Sequence, residues 1–244
     1  MISYKPMSDK PSVRSPWFWV PSLYFAQGIP YAAVMIVSVL MYKRLGVSNT
    51  DIALYTSWLN LPWVIKPFWS PFVDLLKTKR WWVATMQLLI GAGLAGVAFT
   101  IPTTFFFQAS LAVFWLLAFS SATHDIAADG FYMLALDSHE QAFFVGIRST
   151  FYRIAIIAGQ GVLVMFAGFL ENSTGNIPLA WSVTFFILGG LFLALFLYHR
   201  YILPLPKGDK PSATVTPSTI LKEFFATFAS FFKKKQAFVA ILFM

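Results

Sequence analysis

The chain has 244 residues, of which 58% are hydrophobic, 18% aromatic and only 11% charged. Soluble domains carry roughly 25% charged residues, so this composition excludes an ordinary water-soluble protein and indicates a membrane protein. Lysine and arginine outnumber acids by 18 to 10, and the absence of cysteine excludes disulfides, thiol catalysis and cysteine-ligated metals.

Apolar segments long enough to cross a bilayer follow one another along the chain, since a spanning helix needs about 20 residues. We predict six spans: 17–42, 52–73, 81–101, 103 to about 130, 145–170 and 181–202. The first is too long for the apolar core of a signal peptide, so we expect it to be retained. Short polar joints predict antiparallel neighbours. Ser48, or Asn49 and Thr50, ahead of Asp51 is typical of a helix N-cap.

The distribution of basic residues predicts that the N-terminus is cytoplasmic, because basic loops resist translocation. In that orientation the outer segments carry only Lys43 and Arg44, while the inner segments carry most of the remaining lysines and arginines. The net charge of +8 is therefore mostly a topology signal. No nucleic-acid partner is predicted.

Four regions follow from these patterns. Residues 1–16 form a cytoplasmic tail, and 17–202 form the six-span bundle. Residues 203–236 are a proline- and lysine-rich cytoplasmic linker with an amphipathic helix from Ser218 that lies on the membrane, either as a simple linker helix or as a lipid-specific site. Residues 237–244 are apolar but too short to span a bilayer, so we interpret them as the start of a seventh span.

Ionisable side chains inside spans cost at least about 2.5–3.5 kcal/mol each and are functional candidates unless they are paired or snorkel. Lys66 lies within the second predicted span, roughly 12 Å short of Asp74 at its inner end. It either snorkels or pairs with an acid or an anionic substrate. Pro62, Pro67 and Pro71 should kink this span.

Asp125 and Asp129 are four residues apart, so both carboxyl groups lie on one face of the fourth span. In a low-dielectric cavity we expect that the two do not ionise together easily, so that one could take up and release a proton during transport. They could instead pair with arginines at the membrane edge. His124 beside them is weaker evidence for a proton relay.

Arg148 and Arg153 point in different directions from one helix, because five residues correspond to about 500° of rotation. We expect Arg148 to pair with Asp125 or Asp129, and Arg153, a turn deeper, to meet an anionic ligand. An enzymatic alternative would use Asp125 and Asp129 for magnesium-dependent phosphotransfer, as in membrane CDP-alcohol phosphotransferases. The second sequence block that those enzymes need is missing, so we predict no enzymatic activity, cofactor or metal ion.

Three blocks resemble a known family, the AmpG-like muropeptide permeases of the major facilitator superfamily, which is related to acetyl-CoA transporters. They are the F-x-x-G-x-P block at 25–30, the K-x-x-W-S-P-x-x-D block at 66–74 and the S-A-T-H-D-I-x-x-D block at 121–129. The last is the most specific. The departures are His124 in place of glutamine, Pro67 in place of an apolar residue and Ser70 where the superfamily usually has glycine.

The resemblance implies an all-α fold, namely the six-helix N-terminal bundle of this superfamily with a 3+3 inverted repeat, plus the start of a seventh span. It also implies proton-coupled import of anhydro-muropeptides across the bacterial inner membrane for cell-wall recycling, with a CoA ester as another possible anionic substrate. The partners would be a glycopeptide, protons, the lipid bilayer and a C-terminal six-span half beyond this chain.

The roles implied for individual residues follow the same resemblance. Asp125 or Asp129 would carry the proton. Asp74, Lys79 and Arg80 would form an inner latch between spans two and three. The residues expected to line the substrate cavity are Gln27, Tyr31, Lys66 and Arg153.

Overall fold

The computed structural model describes residues 14–210, and these residues form helices and no strand. The helices, labelled in chain order, are α1 Pro16–Arg44, α2 Asn49–Thr56, α3 Leu61–Ile65, α4 Ser70–Leu76, α5 Lys79–Thr100, α6 Phe106–Ala135, α7 Ser138–Thr174 and α8 Ile177–Ile202. Helices α1, α5, α6, α7 and α8 are long and apolar enough to cross a membrane. The predicted all-α membrane fold is therefore confirmed.

The five long helices coincide with five of the predicted spans, with ends that differ by a few residues. Helix α6 continues to Ala135, and α7 extends in both directions beyond the predicted 145–170. The predicted amphipathic helix, the apolar residues 237–244 and most of the tail 1–16 lie outside the described residues.

The predicted second span, 52–73, differs, because it is not one continuous helix. Between residues 49 and 76 the chain forms α2, α3 and α4, with 3₁₀ turns at Ser57–Asn60 and Lys66–Phe68 between them. Proline has no backbone N–H and clashes with the preceding turn, so Pro62, Pro67 and Pro71 stand where a new helical segment begins. They break the span instead of only bending it.

Helix ends are fixed by the residues that the sequence places there. Ser48 accepts a hydrogen bond from the backbone N–H of Asp51, as the N-cap prediction requires. Asp137 and Glu140 form a capping box at the start of α7. Gly175 ends α7 in the left-handed conformation with φ of 64°, which glycine adopts without steric cost.

Helices α1 and α7 pack closely because glycines remove side chains from their contact. A Cβ atom added to Gly28 would lie 2.7 Å from the Cβ of Ala155, and one added to Gly159 would lie 2.5 Å from the Cβ of Ala32. Both helices contain a π-helical segment at this contact, Ala33–Val37 in α1 and Gly159–Leu163 in α7. Single π turns inside α-helices are frequent at functional sites.

Helix α5 packs along both α6 and α8, and α1 crosses α6. The buried apolar side chains form two clusters, one around Phe114, Trp181 and Phe185 and one around Trp19 and Phe131. Along α5, α6 and α8, buried polar residues lie between the stretches that contribute to the two clusters. Gln87, His124 and His199 are among these buried polar residues.

Candidate functional site

The buried carboxyl group of Asp125 faces the lysine of the broken span. Lys66 Nζ lies 3.9 Å from Asp125 Oδ2, and the Asp125 side chain is only 8% exposed. Its other oxygen is buried and has no hydrogen-bond partner among residues 14–210. Lys66 lies in the 3₁₀ turn that separates α3 from α4, so the break in the span places the lysine ammonium group next to α6. The contact is longer than a hydrogen bond, so the two groups form an ion pair without a direct hydrogen bond.

Side chains from three elements surround this pair. Gln27 of α1 and Trp63 of α3 approach the Asp125 carboxyl group, and Tyr152 of α7 lies close enough to interact with it electrostatically. The amide oxygen of Gln27 is buried and makes no hydrogen bond within the described chain. Such unpartnered polar atoms in a buried site are typical of a place that receives a ligand or water.

Asp129, one turn further along α6, has different partners. Its Oδ1 accepts a hydrogen bond of 2.9 Å from the Tyr24 hydroxyl and lies 3.3 Å from Arg148. The Arg148 guanidinium also donates to Tyr24 Oη and lies about 5 Å from the ring centroids of Tyr24 and Tyr132. Asp129 thus joins α1, α6 and α7 through an ion pair, whereas Asp125 faces Lys66.

A second polar network, in which Gln87, His124 and His199 are buried, lies on the adjacent face of α6. The Gln87 amide lies 3.1 Å from His124 Nε2 and within 3.0 Å of His199 Nδ1. The Nε2 atom of His199 lies 2.9 Å from the Ser22 hydroxyl. This network connects α1, α5, α6 and α8, and its His124 directly precedes Asp125. The His124 Nδ1 atom has no partner among residues 14–210.

The residues predicted as a latch lie at the end of the bundle where α4 and α5 meet. Asp74 forms a salt bridge with Lys79, whose aliphatic chain packs on Gly130 of α6. Arg80 instead donates to the backbone carbonyl of Arg200. Asp209, after α8, accepts hydrogen bonds from the backbone N–H groups of Lys79 and Arg80 at 2.6 and 3.0 Å. This turn therefore ties α4, α5 and the segment after α8 together.

The remaining predicted residues divide into two groups. Tyr31 stacks edge to face on Trp63 at 5.2 Å and lies next to Tyr152, so it belongs to the surroundings of Asp125. Arg153 is exposed and makes no hydrogen bond or ion pair within residues 14–210. The structure thus brings Gln27, Tyr31 and Lys66 together around Asp125 but leaves Arg153 apart from them.

Sequence reasoning missed four residues that complete these sites: Trp63, Tyr152, His199 and Asp209. The aromatic residues gave no distinct signal in a chain that is 18% aromatic. His199 lies near the C-terminal end of α8, where a single histidine gives no distinct signal. Asp209 stands in a polar segment where an acid needs no explanation, and only its position in space reveals it as a helix cap.

Comparisons with known proteins identify the family of this chain. Residues 25–243 match the BT1 family, so the chain belongs to it. A Rickettsia conorii protein named AmpG 4 is 27% identical over 234 residues, which cover 90% of this chain and 53% of the relative. The anhydromuropeptide permease of Escherichia coli K12 is 25% identical over 228 residues, with 90% and 43% covered. The chain spans about half the length of these relatives.

An uncharacterised protein of the fission yeast Schizosaccharomyces pombe is 28% identical over 145 residues, which cover 53% of this chain and 28% of the relative. Similar sequences therefore occur in a eukaryote as well as in bacteria. Similarity at this level supports a common family more strongly than a common substrate.

Proposed function

We propose that this chain, a member of the BT1 family, forms half of a secondary transporter that imports anhydro-muropeptides with protons across the bacterial inner membrane. The observation that carries the proposal is the Lys66–Asp125 pair, an ion pair held inside a membrane bundle at a helix break. Broken helices at mid-membrane level and embedded charges are typical of transporter sites. The Escherichia coli relative is named for this substrate.

Asp125 is the proton carrier in this proposal. Its carboxyl group is nearly buried, its one cation lies 3.9 Å away, and its Oδ1 makes no hydrogen bond within residues 14–210. Membrane transporters use embedded carboxyl groups to bind and release protons. Asp129 fits this role less well, because Tyr24 and Arg148 both hold the same carboxylate oxygen.

The substrate would enter between Lys66 and the polar groups beside it. A muropeptide carries carboxylates that a partly exposed lysine can bind, and sugar hydroxyls that Gln27 and Tyr31 can bind. The Gln27 oxygen, which lacks a partner within the described residues, would accept a hydrogen bond from one of those hydroxyls. Arg153 is exposed on α7, next to Tyr152 in sequence, and would contribute from there.

The inner latch would control access from the cytoplasm. Asp74 and Lys79 link α4 to the start of α5, and the Lys79 chain lies on α6. Transporters of this architecture alternate by rocking of packed bundles around a fixed site. Rocking would therefore break the Asp74–Lys79 contact in the state that opens to this end.

The experiment is uptake of radiolabelled anhydro-muropeptide into vesicles that contain the complete protein, with the external medium either acidified or equal in pH to the interior. Import into right-side-out vesicles should rise with an inward proton gradient. Asp125→Asn should abolish this gradient dependence, whereas the matched exposed variant Asp51→Asn should retain it. Asp129→Asn should lower uptake without removing the gradient dependence.

Two results would reject the proposal. Gradient-driven uptake that persists unchanged in Asp125→Asn would remove the proton role from this residue. A wild-type protein that transports no muropeptide, but whose uptake of a labelled CoA ester rises with the gradient, would reject the substrate while keeping the coupling. The two outcomes are separable because each uses a different labelled compound.

A further inference from the structure

A cleft of about 360 Å³ lies between the first turns of α5, the last turns of α8 and the segment that follows α8. Its walls include Trp81 and Leu88 from α5 and Phe196 from α8, which are apolar. Arg80 and Arg200 line it as well. The transport proposal uses Arg80 only as a latch residue and assigns no ligand to this space.

The cleft carries excess positive charge. Arg14, before α1, lies close enough to Arg80 to repel it, and Arg200 does so from α8. None of these three arginines forms a salt bridge within residues 14–210, where the salt bridges involve other cations. Asp209 is the one acid among the lining residues, and it cannot balance three guanidinium groups.

In the cleft the acidic oxygens have hydrogen-bond partners, whereas one arginine donor has none within the described residues. Both carboxylate oxygens of Asp209 accept from backbone N–H groups at the start of α5. Arg80 donates through one terminal nitrogen to the neutral carbonyl of Arg200, and its Nε is buried without a partner in the described part of the chain. An arginine donor without an acceptor in a cationic cleft is suited to an anion with several oxygens.

The cleft also lies at the level where lipid headgroups meet the protein. Trp81 is 44% exposed at its mouth, and Trp17 and Tyr201 are exposed at the same end of the bundle. Exposed tryptophan and tyrosine mark the membrane interface. Leu88, two turns further along α5, is exposed as well and continues the wall towards the hydrocarbon.

We propose that this cleft binds the phosphate of an anionic phospholipid from the leaflet at this end of the bundle. The phosphate would lie between Arg80 and Arg200, and an acyl chain would lie along Leu88 and Phe196. Inorganic phosphate shares the charged group but cannot occupy the apolar wall. Basic pockets between membrane helices are known to bind headgroups of anionic lipids.

The test is native mass spectrometry of the complete protein released from nanodiscs that contain phosphatidylglycerol and phosphatidylcholine. We expect the wild type to retain phosphatidylglycerol in preference to phosphatidylcholine. Arg200→Gln should reduce the retained fraction about fivefold, because a basic residue near an anionic surface contributes roughly that factor. Lys207→Gln removes the same charge from the neighbouring segment outside the cleft lining and should behave as wild type.

A second variant separates binding from misfolding and from general charge attraction. Thr85→Trp keeps all charges but fills the cleft, and it should also lose phosphatidylglycerol while circular dichroism and gel filtration stay unchanged. Inorganic phosphate at about 10 mM should leave the bound lipid in place, since phosphate competition is weak against a ligand that also uses the apolar wall.

The proposal is overturned if Arg200→Gln and Lys207→Gln retain the same amount of lipid, or if a folded Thr85→Trp protein keeps it. It is also overturned if inorganic phosphate displaces the lipid completely, which would assign the cleft to a free anion. A wild type that does not retain phosphatidylglycerol in preference to phosphatidylcholine overturns the proposal as well.

Discussion

The contact between α1 and α7 allows a direct test of how closely these helices must approach. A methyl group added at Gly159 would lie 2.5 Å from the Cβ of Ala32, with the next Ala32 atom at 3.9 Å. Carbon atoms pack at about 3.5–4.0 Å, so Gly159→Ala should push the helices apart by roughly 1 Å. Overpacking of this kind costs about 1–3 kcal/mol. The better helix propensity of alanine offsets up to about 1 kcal/mol.

The obstructing atom is a single methyl group, so the clash should be reversible. Ala32→Gly removes that methyl, and the double variant Gly159→Ala with Ala32→Gly exchanges which helix carries it. We expect a coupling energy of about 1–3 kcal/mol between the two positions, since residues in direct contact are not additive. The single variant Ala32→Gly should cost about 1 kcal/mol through helix propensity.

The measurement is thermal unfolding in detergent, followed by tryptophan fluorescence. For a protein of this size, about 1 kcal/mol corresponds to roughly 2–4 °C. The matched control is Gly161→Ala in the same π-helical segment, where the added Cβ would meet nothing within 4 Å. The reasoning fails if Gly159→Ala is as stable as Gly161→Ala, or if Ala32→Gly does not restore stability to the double variant.

Substitutions at three further positions test other contacts. Glu171→Ala should lower unfolding stability by about 1–3 kcal/mol, because Trp181 Nε1 then loses its acceptor at 2.7 Å, whereas Glu171→Gln should cost less in the same thermal assay. Gln87→Leu should lower the melting temperature by removing the partner of buried His124, and Gln87→Glu should restore part of it. Asp209→Ala should cost about 1 kcal/mol and accelerate hydrogen exchange at the start of α5, a change that Asp209→Asn should reduce.

The long helices were predictable because an apolar run of about 20 residues is a strong and local signal. The break in the second predicted span was only partly predictable. Pro62, Pro67 and Pro71 indicate a distorted helix, but hydropathy averages over them and reports one continuous span. Whether a proline kinks or ends a helix depends on which groups accept the freed carbonyls, and those groups lie on other helices.

The partners of the charged residues were less predictable than their positions. The spacing of Asp125 and Asp129 places both on one helical face, yet it does not say that Lys66 reaches one and Arg148 the other. Which cation each aspartate meets depends on which neighbouring helix or turn packs against that part of α6. The same limit applies to Asp209, because a cap contributed by a distant segment leaves no pattern in the sequence around the helix that it caps.

The two aspartates also differ in what their partners can do. Arg148 extends from α7, a continuous helix with a capping box at its start. It is held by the Tyr24 hydroxyl and by the rings of Tyr24 and Tyr132. Lys66 lies in a segment where prolines have removed backbone hydrogen bonds, so less secondary structure restrains it. If Asp125 takes up a proton, its attraction for Lys66 falls, and the segment from α3 to α4 is the part of the bundle that can move. That segment leads directly to Asp74 and its contact with Lys79, so in the proposed function proton binding would have a short covalent route to this end of the bundle.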